Sequence, residues 1–399
     1  MSSSPAAAAP PRLRRARTAV AGAFFVNAVL YANLVPRLPE VKADLGLSNS
    51  SLGAALAAVP LGALVAGLSS AVLIRRFGSR TVVTAGLVLL CGAVWAVSMA
   101  PNWPALAAVF LLVGALDAIV DVAQNAHGLR VQRLYQRSIL NAFHGIWSIG
   151  AVAGGLIGSA AAGLQLPLVV HLGAVAVLFA ALTLAGSRAL LPGPDEADRE
   201  EPEHTVEGGR SLRRAAVPAL ATLGVLAICG AFVEDAGASW SALYLRSELD
   251  AGAAMAGLGF VALSVAMTIG RLTGDRVVDR FGQRAVVRAG GALTAAGMGL
   301  ALAVPSVPTT LAGFAFAGLG VATLIPAVYH AADELPGLAA GSGLTVINWL
   351  LRIGFLLSPP LIGVLADATS LRVALLTVVL AGLGALFLGS SLPKSLTSP

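Results

Sequence analysis

The sequence predicts an all-α membrane protein of twelve transmembrane helices arranged in two six-helix bundles. Three observations carry that prediction. Hydrophobic residues make up 57% of the 399 positions against 12% charged, a balance that a water-soluble domain of this size does not sustain. The apolar residues come in runs of about twenty, which suits spanning helices and not the alternating tens of a closed barrel. One long polar stretch, Leu191 to Arg214, divides the runs six and six.

In chain order the runs lie at about 18–36, 51–74, 81–100, 105–129, 141–163, 168–190, 215–239, 253–277, 286–304, 309–332, 340–363 and 371–391. The polar stretch holds seven of the chain's 20 acidic residues together with Pro and Gly, so it is expected to be a linker without a core. The expected layout is a tail at 1–17, a bundle at 18–190, the linker at 191–214, a second bundle at 215–391 and a tail at 392–399. Met1 to Arg17 reads as an Ala/Pro/Arg-rich tail, and no cleavable signal is expected. Cys91 and Cys229 sit inside apolar runs and read as buried thiols, outside any disulfide or metal framework.

Arginine placement sets the expected orientation. The loops after runs 2, 4, 6 and 8 carry Arg75, Arg76 and Arg80; Arg130, Arg133 and Arg137; Arg210, Arg213 and Arg214; and Arg276, Arg280 and Arg284. The opposite loops hold only Arg37, Lys42, Arg246 and Arg372. The positive-inside rule then places both termini in the cytoplasm. A pI near 10 reflects these loops and implies no nucleic-acid partner.

The fourth run organises the rest. Leu106 to Leu129 would span roughly 36 Å as a helix. Asp117, Asp121 and Asn125 fall at i, i+4 and i+8 and share one face. A carboxylate at that depth costs at least about 2.5 kcal/mol on insertion scales, so it should face protein or a watery cavity. Asp121 is the first candidate for a proton-carrying group, with Asp117 as a second relay or as its partner; a structural hydrogen bond is the alternative. Asn141, His144 and Ser148 recur on one face of the fifth run and could bond a solute or Asn125. Asn27 and Tyr31 share a face of the first run. They offer a solute donors and an aromatic platform, or serve interhelical bonding. Glu234 and Asp235 point about 100° apart on the seventh run. At most one is expected to face a pathway, with Asp235 reaching the outer water and Trp240 belonging to an interfacial belt. Arg352, one turn after Asn348, must find an anion or water. It could pair with Asp121 across the bundles or with Glu234 within one bundle, the second expected because it would hold through a whole cycle, or it could grip an anionic or hydroxyl-rich ligand. Gly150, Gly154, Gly155 and Gly158 form a small-residue packing seam.

A short repeat links the halves: RRFGSR from Arg75 to Arg80 and DRFGQR from Asp279 to Arg284, at matching places in a 6+6 layout. Here the chain resembles the major facilitator superfamily, whose loop signature GRLTGDRVVDRFGQR (Gly270 to Arg284) matches well. The positions concerned are Gly274, Asp275, Asp279, Arg280, Gly282 and Arg284, with Arg76, Gly78 and Arg80 in the first half, where Arg75 stands in place of the signature Asp. The stretches Asn141 to Gly158 and Trp240 to Phe260 resemble the fucose-permease-like branch and its bacterial inner-membrane members. The fourth run is similar to the Glu-x-x-x-Asn pattern of the sugar symporters, which implies that Asp121 takes the protonatable position and Asn125 follows it. Glu234 matches an acidic position of the same group. Val35 stands where those symporters carry a further acid.

The resemblance implies the major facilitator fold and a multi-pass inner-membrane protein. It implies secondary active transport of a small polar organic solute by alternating access, coupled to protons. Proton-antiport efflux through the same carboxylates is the alternative. The proton-coupling candidates are Asp121, Asp117 and Glu234; the solute-binding candidates are Asn27, Tyr31, Asn125, His144, Asn348 and Arg352. The partners expected are a small-molecule substrate, protons and the lipid bilayer, with the chain a monomer. No cofactor or metal site is expected, and the absence of a GxxxxGK[ST] motif and of any nucleophile-base pair argues against an ATPase or an enzyme.

Overall fold

The computed structural model describes residues 10–135, 139–193, 210–335 and 342–392. Among them, twelve helices are long and apolar enough to cross a membrane. The first six are α1 (Pro11–Asp44), α2 (Asn49–Gly67), α3 (Ser79–Val97), α4 (Trp103–Tyr135), α5 (Leu140–Gly163) and α6 (Leu168–Ser187). The second six are α7 (Val217–Ser247), α8 (Ala253–Phe281), α9 (Gln283–Ala303), α10 (Val307–Asp333), α11 (Ser342–Ala368) and α12 (Leu371–Ser391). Most of the expected linker, 194–209, and most of the expected C-terminal tail lie outside the described residues. The first helix begins at Pro11, so Arg12, Arg14, Arg15 and Arg17 ride on its opening turns instead of in a tail. The second run is broken near Leu68, and a separate helix, Ser70–Phe77, continues it.

Twelve crossings bring both ends to one face, here called the terminal face. Arg284 Nε donates to Leu392 O at 2.7 Å, which ties the C-terminal end to the α8–α9 connection. Arg130 donates to the carbonyls of Pro192 and Gly193 and does the same for the end of the first half. On the opposite, far face, serines cap the starts of α2, α10 and α12. Ser51 N donates to Ser48 Oγ at 3.1 Å, Thr309 N to Ser306 Oγ at 3.3 Å and Val373 N to Ser370 Oγ at 3.2 Å.

The halves repeat one another in three dimensions. Helix α1 packs on α5, α2 on α4, and α3 on both α4 and α6; the second half pairs α7 with α11, α8 with α10, and α9 with both α10 and α12. The repeated loops are one structural object used twice. Gly78 (φ 77, ψ 148) and Gly282 (φ 79, ψ 148) adopt the same glycine-favouring conformation. The preceding arginines lie over neighbouring rings, Arg76 over Phe77 at 5.3 Å and Arg280 over Phe281 at 5.4 Å. Gly78 and Gly282 are 204 residues apart, as are Gly150 and Gly354. Gly150 packs on α1 at Phe25 and Ala28, and Gly354 packs on α7 at Ile228 and Ala231.

Between the halves, α2 meets α11 and α5 meets α8. These contacts lie toward the far face. Gly53 abuts the Pro359 carbonyl, Gly257 abuts Ser159 and Pro36, and Gly155 abuts Phe260. A side chain at any of these glycines would meet atoms of the other half, so glycine is what allows the closure. Toward the terminal face His144, Arg271 and Asn348 are exposed between the bundles. The molecule is closed on the far face and open on the terminal face. Its outer surface is apolar, with Leu182, Leu300 and Leu380 exposed as a lipid-facing mantle requires.

Candidate functional site

A cavity of about 340 Å³ lies between the bundles, lined by both. Its N-terminal wall is a closed hydrogen-bond chain across three helices. Asn27 Nδ2 on α1 donates to Asp117 Oδ1 on α4 at 2.8 Å, and Trp147 Nε1 on α5 donates to Asn27 Oδ1 at 3.0 Å. Asn27 is 3% exposed and spends both ends of its amide on these bonds. Tyr31 follows one turn on and also lines the cavity.

The C-terminal wall is built by α7, α8 and α11. Glu234 and Asp235 both line the cavity, with Ser239, Arg271, Arg352 and Phe355. Both acids are the last two residues of the regular winding, and a π-helical turn, Ala236–Trp240, which carries Ser239, follows them. Such wide turns re-aim side chains and cluster at functional sites. Ser239 Oγ donates to Asp235 Oδ1 at 2.8 Å. Asp235 Oδ2 is buried and forms no hydrogen bond, although Ser358 Oγ of α11, also unbonded, is turned toward the carboxylate. Asp235 therefore faces the cavity and not the outer water.

Glu234 Oε1 lies 3.6 Å from Arg271 Nη2, so its ion pair is with α8 and not with Arg352. Among the described residues no carboxylate lies within 4 Å of the Arg352 guanidinium. Asp117 and Asp121 lie within its longer electrostatic reach. Neither expected ion pair of Arg352 is formed. The physical reason is distance: Arg271, the second residue of the Gly270–Arg284 signature stretch, is the cation nearest Glu234.

Asp121 does not line this cavity. It sits one turn nearer the terminal face, where it accepts from Asn125 Nδ2 at 3.0 Å and Gln124 Nε2 at 3.4 Å and lines a separate cleft with Arg75, Arg76 and Arg80. Asn125 is thus committed to Asp121, and the expected bond from the His144 group to Asn125 is replaced by local ones, such as Ser148 Oγ to His144 O at 3.1 Å. His144 stacks edge-on against Phe24 at 5.2 Å. Asn348 accepts from Tyr329 OH at 3.2 Å. In the loop signature, Gly274 lies against Thr323 of α10, and Asp275, Asp279 and Arg280 lie on the last turns of α8.

Two readings of isolated residues are corrected. Trp240 is fully buried in the second bundle and is no interfacial anchor. Arg37 is 1% exposed and is no loop cation: it contacts Glu40, Leu166 O and His171 Nδ1, and His171 Nε2 lies 3.1 Å from Asn33 Oδ1. Trp147, Asp235, Ser239 and Arg271 are the site residues that the sequence did not mark. A charge inside an apolar run was the available signal for Arg271.

The Major Facilitator Superfamily profile matches residues 20–244 and again 223–397. Among curated proteins the chain is similar to an uncharacterized MFS-type transporter of Yersinia pestis, 31% identical over 88% of this chain and 89% of that one. It is also similar to the membrane protein MosC of Rhizobium meliloti, 32% identical over 92% and 87%. Among solved structures the nucleoside transporter NupG superposes with a TM-score of 0.75 at 12% identity, covering 94% and 97%. The D-xylose-proton symporter superposes at 0.69 with 16% identity, covering 96% and 98%. The Escherichia coli fucose:proton symporter superposes at 0.59 with 16% identity, covering 94% and 97%.

Proposed function

The chain belongs to the Major Facilitator Superfamily of membrane transporters, which are not enzymes, and from that premise we propose that it couples movement of a small polar organic solute to protons through Asp117. The observation that carries this reading is the Trp147–Asn27–Asp117 chain on the wall of a cavity that both bundles share. A carboxylate so placed can hold a proton in one state and release it in another, and its bond to α1 changes with that proton. Asp121, toward the terminal face, is the next group along the same helix face and serves as the relay between Asp117 and the cleft.

The arginines of the terminal face orient that face to the cytoplasm of a bacterial inner membrane. The far-face closure is then the inward-open state. In the other state the bundles rock about the cavity, part the Gly53 and Gly257 contacts and close the His144 side. Secondary transporters of known structure with this fold include proton symporters for xylose and fucose, which supports the coupling ion.

The test is transport by purified protein in oriented proteoliposomes with an imposed proton gradient. Asp117→Asn is expected to abolish uphill accumulation while leaving solute counterflow, which needs no net proton movement. Full uphill accumulation by that variant overturns the assignment.

A further inference from the structure

The C-terminal wall of the cavity carries two groups with opposite needs. Arg352 presents a guanidinium whose charge cannot be shed and which finds no carboxylate within 4 Å among the described residues. Every acid near it is otherwise engaged: Asp117 by Asn27, Asp121 by Asn125 and Gln124, Glu234 by Arg271. On the same wall, Ser239 satisfies one oxygen of the Asp235 carboxylate, while Oδ2 is buried and forms no hydrogen bond, with Ser358 Oγ of α11, itself unbonded, turned toward that carboxylate. Water in the open cavity can answer both groups, but a ligand that fills the cavity and displaces that water must supply a counter-charge for the cation and a donor for the acceptor.

We propose that the solute is a small carboxylate that also bears a hydrogen-bond donor. This deepens the transport reading above and rests on it. The ligand's carboxylate seats on the Arg352 fork through two parallel N–H···O bonds, the geometry a guanidinium favours over a point charge. Its hydroxyl or ammonium group donates to Asp235 Oδ2. The cavity volume, about 340 Å³, is at the small end of the range for ligand pockets and suits a solute of sugar-acid or amino-acid size. Trp147 and Phe355 supply the apolar faces that exclude water from the paired charges.

The proposal accounts for an asymmetry of the wall. Glu234 and Arg271 neutralise one another, so the pair adds no net charge to the ligand's surroundings. Arg352 is left as the one cation of this cavity, among the described residues, that is free of an ion pair. A neutral sugar would accept hydrogen bonds from that guanidinium but bring no opposing charge, and a simple amine would place a second cation beside it.

The experiment measures Trp fluorescence and thermal stabilisation of the full-length protein in nanodiscs at neutral pH. The probes are gluconate, serine, propionate, glucose and ethanolamine. Gluconate or serine is expected to bind, and propionate more weakly because it leaves Asp235 unmet. The two donor chemistries are distinguished by which of gluconate and serine responds. Arg352→Gln is expected to weaken the response by about ten- to a hundredfold, the scale of a lost charge-assisted bond. Arg352→Lys, which keeps the charge and guards against misfolding, is expected to recover only part of it. Asp235→Asn is expected to narrow the gap between gluconate or serine and propionate. Glucose binding that survives Arg352→Gln overturns the carboxylate assignment and leaves the transporter reading standing. A folded protein that answers no probe counts against the proposal, and Asp117→Asn in the transport assay then decides the broader reading separately.

Discussion

The two bundles share a scaffold but treat their polar groups in opposite ways. Helix pairing, the Gly78 and Gly282 turns and the Gly150 and Gly354 contacts repeat across the halves. The cavity groups do not. At the same 204-residue spacing Asp117 answers to Val321, Arg352 to Ser148 and Asp235 to Tyr31. The N-terminal wall closes its hydrogen bonds on itself, whereas the C-terminal wall leaves a cation and an acceptor open. Duplication accounts for the hinge and the packing; departures from it account for the chemistry. The wall that ties Asn27, Asp117 and Trp147 together holds a proton site in place, and the wall that leaves Arg352 without an ion pair has a charge to offer a ligand.

The largest effect that sharpens this comparison comes from glycines at equivalent close approaches. Gly257→Val would drive a side chain into Ser159 and Pro36 of the other half, and Gly150→Val would drive one into α1 of its own half. The first penalises only the far-face-closed state; the second penalises the bundle in every state. With overpacking at about 1–3 kcal/mol, Gly257→Val should shift the conformational balance by about tenfold or more toward far-face opening. Transport should fall while monodisperse yield is kept. Gly150→Val should lose yield first. Alkylation of a cysteine introduced at Ser264, read against size-exclusion profiles, checks both; equal losses of yield would erase the distinction between packing within and between halves.

Much of the scaffold is legible in the sequence because membrane burial is written in composition. Twelve apolar runs, the six-and-six division and the repeated loop all survive in the fold. The site was legible only where a charge interrupts an apolar run. Asp117 and Asp121 announce themselves so. Arg271 does so too, but it falls inside the Gly270–Arg284 signature stretch and is read with that loop. Asp235 faces the cavity against expectation because the cavity between the bundles reaches both Glu234 and its neighbour, a breadth that helical periodicity does not encode. Arg37 finds His171 134 residues away, a pairing that no local pattern encodes. Trp240 has the composition of an interface and the position of a core.

A smaller effect separates the two inter-bundle seams. At the far face Asp367 of α11 receives the backbone N–H groups of Asn49 and Ser50, at 3.0 and 2.8 Å, and so caps the first turn of α2 in the other half. The seam related to it by the repeat has Gly163 against Ala254 and no such cap. A carboxylate at a helix N-terminus is favourable through both hydrogen bonds and the helix dipole. Asp367→Asn should release the closed far face by about three- to tenfold in the same alkylation assay. It should do so without altering ligand selectivity, because the residue lies outside the cavity. No change in accessibility would make the cap incidental to closure.

The smallest expected effect tests whether every unsatisfied polar group of the second bundle waits for a ligand. Tyr244 OH is buried without a hydrogen-bond partner, as Asp235 Oδ2 is. The difference lies in surroundings: Asp235 lines the cavity and Tyr244 belongs to the bundle core, 0% exposed. A buried hydroxyl with no partner contributes nothing that its removal forfeits, and a phenyl ring keeps the packing. Tyr244→Phe should therefore change stability by less than about 0.5 kcal/mol and leave binding and uphill transport at wild-type levels. Asp235→Asn, with a comparable change in size, should alter ligand preference. If Tyr244→Phe instead impairs transport as strongly as Asp235→Asn, then an unmet hydrogen bond is no guide to the ligand. The contrast between the two walls would then reduce to packing.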